Sequence, residues 1–531
     1  MRLLIKQRWD GAFALKLGLT ALVMLLGNYV FWELEQVTGV QGIFMLGLCA
    51  ALAAARPAVR RDKRALVALG FAALYACAQL WDPSPLAFAL FWVAIGLATL
   101  LPGSARFDDG WRWFQRLFVH GFKSLFGPLI DLIKLDRVRR RRPARPLGLR
   151  RGATMLVLPL LGSAVFLWLF AAANPVIESW LTSITPPNFD WMFVPHAIVL
   201  GLFALVTWGV LRPRPPRRTF GTFDGSGDLR IPGFSLASVT LSLLAFNALF
   251  ALQNLMDLAY LSGLAALPKG IVLSEYAHRG AYPLVATALL AALFVLIALR
   301  PGSSTATSPL ARGLVTLWIA QNLVLVASAA WRTWDYVLAY DLTRLRIAAL
   351  LWMALVALGL VLVLWRMLKE KSASWLINAN LVTSGALLTA VCFVDLGAVA
   401  ASWNVRHARE IDGKGAGMDL CYLSGLGDSA LLPLLELDQR KLPGEFGQRV
   451  SRVRLKSQSH AANMTPNGFW SLRNQWRLAE YRRLSGVGTI GLFDTRESDC
   501  NGHLYRSPLE DAAAPAASPE VEVPRDARRN D

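Results

Sequence analysis

The sequence predicts an all-α integral membrane protein of about eleven transmembrane helices, with a small mixed C-terminal domain outside the bilayer. Three observations predict it. Of the 531 residues, 55% are hydrophobic and only 17% are charged, whereas a soluble chain is about a quarter charged. The apolar residues fall in blocks of roughly 16–25, the length that crosses a hydrocarbon core of about 30 Å at 1.5 Å rise per residue. Lysine and arginine, finally, are concentrated in alternate connections, as cytoplasmic loops require.

The blocks place spans at 17–32, 40–55, 65–81, 85–101, 153–173, 191–211, 234–256, 281–299, 313–331, 347–365 and 375–399. Lys16 stands at the start of the first, where its stem can lie along the apolar region and keep the ammonium in water. That first block is of full length and lacks an A-x-A-like exit, so it reads as a retained span rather than a cleaved signal. With the N-terminus inside, the inside segments hold 32 lysines and arginines and the outside connections five. The N-terminus is then cytoplasmic and, after an odd number of spans, the region beyond about Ala400 is periplasmic, in a bacterial inner membrane. The net charge of +19 belongs to cytoplasmic loops, so it indicates topology and no nucleic-acid partner.

These elements divide the chain. Residues 1–211 form a six-span region, 212–233 a Pro-, Arg- and Gly-rich cytoplasmic linker, and 234–400 a five-span region. Within 111–135, Trp111, Phe114, Phe118, Phe122, Leu125, Leu129 and Ile133 share one helical stripe, with Arg112, Arg116 and Lys123 off it. That pattern suits an amphipathic helix lying in the cytoplasmic interface and kinked near Gly127-Pro128. The basic run 137–151 offers contact with anionic lipid, or serves only as a positive-inside signal. Residues 401–509 form the C-terminal domain, with helices near 419–437 and 468–484 and a short strand at 486–494. Residues 510–531 read as a disordered tail.

Of the five cysteines, Cys49, Cys77 and Cys392 fall in predicted spans as small apolar residues. Cys421 and Cys500 lie in the C-terminal domain. They form a disulfide if that domain meets an oxidising compartment, and stay free thiols if it does not.

Polar side chains inside a bilayer are costly, so they mark where function is first sought. Asn247, Asn254 and Asp257, seven and three residues apart, share one helix face. Gln321 lies near mid-membrane and Asp395 at an outer end. The outer connections add Glu275, His278, Arg279 and Arg332. Together these nine either line an outward-facing polar pocket, with His278 titrating near neutral pH, or only hydrogen-bond neighbouring helices and solvent. No phosphate-binding loop, zinc-protease, serine-hydrolase or kinase motif occurs, and no histidine or cysteine set has metal-ligand spacing. No metal or cofactor is expected.

The strings NLMDLAYLSG, EYAHRGAYPLVATALLAALFVL, LVTLWIAQNLVLVASAAWRT, YDLTRLRIAALLWMALVALGL, ASWNVRHAR and GMDLCYLSGLGDSALLPLL occur in this order. Over roughly 235–435 the chain resembles an uncharacterised bacterial membrane family, domain of unknown function 4173. The resemblance implies a polytopic inner-membrane protein and no known activity. Three readings follow: a scaffold or sensor-like protein with an outward-facing C-terminal domain, a transporter or flippase with a polar cavity in spans seven to eleven, and a membrane enzyme acting on a lipid-linked envelope substrate. The absence of catalytic motifs leans against the enzyme.

Overall fold

The computed structural model describes residues 2–34, 38–104, 107–128, 130–131, 193–216, 235–262, 302–486 and 498–504, with a few isolated positions between them. The long helices are α1 (Arg2–Asn28, prolonged by a π turn over Tyr29–Glu33), α2 (Gln41–Ala55), α3 (Lys63–Trp81), α4 (Pro85–Leu100), α5 (Gly110–Leu125) and α6 (Phe193–Leu211). After the linker come α7 (Leu236–Leu261), α8 (Pro309–Tyr340), α9 (Arg344–Leu368) and α10 (Ala373–Val391). The C-terminal domain holds α11 (Leu396–His407), α12 (Leu420–Gly425), α13 (Leu431–Gln439), α14 (Gly444–Met464) and α15 (Leu472–Ser485).

Helix starts follow local chemistry. Asp62, Ser84, Asp109, Ser308, Thr343, Ser372, Asp395, Asp419 and Ser471 each accept a hydrogen bond from a backbone N–H in the first turn of the helix they precede. These side chains satisfy donors that the helix itself cannot. Pro85 and Pro309 sit just inside their caps, where the missing N–H costs nothing.

Eight helices among the described residues are long and apolar enough to cross a bilayer: α1 from Phe13, α3, α4, α6, α7, α8, α9 and α10. α2 is apolar but shorter. The expected spans 153–173 and 281–299 fall almost wholly outside the described residues. The expected last span, 375–399, is shorter than the hydropathy suggests. α10 stops at Val391, and Asp395 begins a separate helix by capping it, because a carboxylate bonded to two amides starts a helix rather than continuing one.

Two apolar cores result. Val23, Phe44, Leu48, Leu52, Phe91, Ile95, Trp113 and Leu211 join α1–α6. Val239, Leu243, Val315, Trp318, Met353, Leu360 and Leu376 join α7–α10. The halves meet along α10: Tyr75 Oη lies 2.7 Å from Thr389 Oγ1, and the Gly110 amide donates to Asn378 Oδ1 at 2.8 Å.

α5 runs across one end of this array. Its aromatic stripe is exposed, with Phe114, Phe118 and Phe122 at 58, 68 and 61%, while Trp113 and His120 face inward. The helix breaks at Phe126, and helical backbone resumes over 127–128 and 130–131, with the Ile130 amide donating to the Phe126 carbonyl at 3.0 Å. Basic connections gather at this same end. At the opposite end the connections 33–40, 82–84, 341–343 and 392–395 contain no lysine or arginine, and there the C-terminal domain sits. Thr38 donates to the Gly468 carbonyl at 3.3 Å, and Asn404 holds both backbone groups of Leu342.

The described part of the C-terminal domain is helical up to Ser485, with a turn over 498–504 closed by a Ser498–Leu504 bridge; the expected strand at 486–494 falls outside the described residues, apart from the cap Gly486. The domain is stapled by a disulfide between Cys421 and Cys500, with Cα atoms 4.6 Å apart. The bond closes 79 residues of chain, so replacing both cysteines with serine is expected to cost roughly 4 kcal/mol. Thermal unfolding of the domain with and without reductant measures this, and identical curves would refute it.

Candidate functional site

The polar residues of α7 meet those of α8 in a seam. Asn247 Nδ2 donates to the carbonyls of Leu243 and Leu314 at 2.7 and 3.0 Å, and its Oδ1 accepts from Gln321 Nε2 at 3.3 Å. One heptad further on, Asn254 Nδ2 donates to the Gln321 carbonyl at 3.1 Å. The constant offset between Asn247–Leu314 and Asn254–Gln321 means that α7 and α8 run parallel and in heptad register. Toward the domain end, Asp257 is buried at 3% exposure. It forms an ion pair with Arg332 and accepts hydrogen bonds from Gln253 and Ser328, each at 2.9 Å. Among the described residues, the side-chain oxygens of Asn254, Gln321 and Asn322 and the Trp318 indole N–H have no hydrogen-bond partner.

Of the nine residues the sequence singles out, the structure therefore brings together Asn247, Asn254, Asp257, Gln321 and Arg332. Glu275, His278 and Arg279 lie outside the described residues. Asp395 is not in this seam. It sits at the junction with the C-terminal domain, because its charge partners are on α15.

Sequence reasoning missed that junction. Arg477 pairs with both Asp395 and Asp428, and Arg473 pairs with Asp82 at the tip of the α3–α4 hairpin. Arg473 also donates to the Phe393 carbonyl at 3.0 Å and lies 5.8 Å from the Trp81 ring centre. Both guanidinium side chains are nearly buried, at 5 and 6% exposure. Arg344 adds a bond to Ser429 Oγ at 3.0 Å. Two arginines and three carboxylates thus tie α15 to the end of α3, the start of α11 and the 427–430 turn. The one available signal was the pair Arg473 and Arg477, four apart on a helix, which puts both on one face.

A second junction surrounds Asp341, which terminates α8 with φ of 67°, a conformation that non-glycine residues rarely adopt. Asn404 and Arg346 hold the adjoining backbone. Burial, with the charges of Asp419 and Glu410, pushes the Asp341 carboxyl up to about 6 against the pull of the Asp419 amide and Arg346. A folded value above the unfolded one of about 3.9 means a penalty that is absent in acid and complete above about pH 6. Asp341→Asn is therefore expected to be more stable than wild type above pH 6, with the gain vanishing toward pH 4. Melting temperatures across that range test this, and a pH-independent difference would contradict it.

Among the described residues no three histidine, cysteine, aspartate or glutamate side chains are placed to hold a metal ion. What the fold and these sites define is a helical membrane protein carrying a docked helical domain. The model of a family described as a domain of unknown function, DUF4153, matches residues 65–437. The chain belongs to that family. This corrects the resemblance drawn from the sequence strings, since the family found is not domain of unknown function 4173. The match begins in α3 and so takes in first-half helices from α3 onward that the strings left out, but not α1 and α2. No curated protein and no solved structure matches the chain.

Proposed function

We propose that the chain is a multi-span scaffold of the bacterial inner membrane that presents its C-terminal domain, fixed in orientation, on the periplasmic side. The observation that carries this reading is the network of Arg473 and Arg477 with Asp82, Asp395 and Asp428. Desolvating two guanidinium groups is repaid only where geometry is held closely. A domain swinging freely on a tether would gain nothing from it. In the seam, too, Asp257 and Arg332 are each other's partners, an arrangement that braces helices.

Orientation rests on charge and redox chemistry. Basic residues gather at the end away from the C-terminal domain, as cytoplasmic loops do, and a disulfide suits an oxidising compartment. Helix directions support eleven spans. α5 lies at the basic end and α6 begins at the domain end, while α7 ends at the domain end and α8 begins at the basic end. The described residues on either side of each interval thus lie at opposite ends of the array, as the eleven-span expectation requires. A periplasm-active reporter fused after Arg506 is expected to be active; activity only from a cytoplasm-active counterpart would reverse the orientation.

One observation favours transport instead: the unbonded side-chain oxygens of Asn254, Gln321 and Asn322 in the α7–α8 seam. Complementation of a deletion strain separates the two readings. For a scaffold, Asn254→Leu with Gln321→Leu complements, and a chain ending at Ala401 fails. The reverse pattern would sink the scaffold and place the activity in the seam.

A further inference from the structure

At the basic end, α1, α6 and the residues following α5 enclose a cavity of ≈ 260 Å³ lined by Lys16, Asp131, Arg212, Pro213 and Arg214. Its geometry is already that of an anion site. One carboxylate oxygen, Asp131 Oδ2, accepts from Arg214 Nη2 at 2.5 Å and from the Trp208 indole N–H at 2.9 Å, and lies 3.2 Å from Arg212 Nη1. Arg214 is braced by a bond to the Gly127 carbonyl at 3.0 Å. Three donors thus converge on a single oxygen.

Charge is not balanced there. Lys16 lines the cavity but makes no side-chain hydrogen bond or ion pair among the described residues. Arg56 lies within electrostatic reach of Lys16 and, among the described residues, donates to the Thr99 carbonyl at 2.5 Å. Three cations, Lys16, Arg212 and Arg214, therefore line the cavity with one described carboxylate, and Arg56 adds to the positive field at Lys16.

Depth identifies the occupant. Lys16 lies three residues into the candidate span that starts at Phe13, and Arg212 directly follows the one that ends at Leu211. The cavity is therefore level with lipid headgroups, as is the exposed aromatic stripe of α5. Basic pockets between spans on the cytoplasmic side suit acidic lipid headgroups. We infer that this cavity is a phosphoryl-binding site, filled by the headgroup phosphate of an anionic phospholipid. The inference needs only that the helices cross a bilayer, and is independent of the scaffold reading and of the basic run at 137–151.

The test is native mass spectrometry of the delipidated full chain, titrated with phosphatidylglycerol and with phosphatidylcholine. Wild type is expected to retain phosphatidylglycerol preferentially. Lys16→Gln, which breaks no described bond, should weaken that retention about five-fold, the share of one cation at about 1 kcal/mol. Asp131→Asn removes the competing carboxylate and should strengthen it, a direction that mere structural damage would not produce. Displacement by millimolar inorganic phosphate would show that the site takes phosphoryl groups from either source. Its failure to displace would assign the site to lipid alone, and both outcomes support the inference. Equal retention of the two lipids, or a preference unchanged in Lys16→Gln, overturns it.

Discussion

Arg477→Ala is expected to release α15 from the start of α11 and from the 427–430 turn, at a cost of about 3–5 kcal/mol. The wild-type side chain is 6% exposed and bridges Asp395 to Asp428. Truncation leaves the half-buried Asp428 without its guanidinium partner and Asp395 with only Arg473, 3.9 Å away. α11 itself should survive, since Asp395 still accepts from the amides of Gly397 and Ala398 at 2.8 and 3.1 Å. The loss should therefore appear as undocking of α15 rather than general unfolding. Hydrogen exchange of α15 relative to α3 and α10 reads this directly, and unchanged protection of α15 would refute the clamp.

The same contact has a pH signature. Burial raises the Asp395 carboxyl, but the Arg477 charge and hydrogen bonds from Ala398, Ser429 and Arg477 outweigh it and hold the group below the usual carboxylate range. A folded value below the unfolded one means stabilisation that is complete above about pH 4 and is lost as pH falls through the folded value. Asp82 works in the opposite sense: burial pushes it up despite Arg473, so its contribution weakens as pH rises. Wild type and Arg477→Ala should accordingly converge in acid.

Arg332→Ala is expected to cost the membrane region a comparable 3–5 kcal/mol, because it strands Asp257 as an uncompensated buried charge. Asp257 is 3% exposed, and its remaining partners, Gln253 and Ser328, are neutral donors. Replacing both members, as Asp257→Leu with Arg332→Met, removes the charges together and should recover most of the loss, since swapping a buried pair for apolar residues is often neutral. Thermal unfolding of the three proteins in one detergent decides it. A double variant as unstable as Arg332→Ala would mean that the pair does more than balance its own charge.

The sequence placed much of the membrane seam. Asn247, Asn254 and Asp257 share a face because seven- and three-residue spacings repeat on a helix, and that face does pack on α8. The sequence misplaced Asp395. Spacing and hydropathy put that residue in the last span, whereas its role is decided by Arg477, 82 residues further on. Arg473 and Arg477 look in sequence like the solvated face of a polar helix. Only contact with Asp82, Asp395 and Asp428 makes them buried.

By itself, then, the sequence determined an apolar helical array, its alternating basic and neutral ends, and the helix face bearing the amides. These are properties of consecutive residues, and the bilayer reads them by length and charge alone. The tertiary structure decided that Asp257 belongs to Arg332 and Asp395 to Arg477, that the domain is docked at the neutral end, and that Lys16, Arg212 and Arg214 surround one cavity. Pairing between groups tens or hundreds of residues apart depends on which helices pack together, and no local pattern along the chain encodes that.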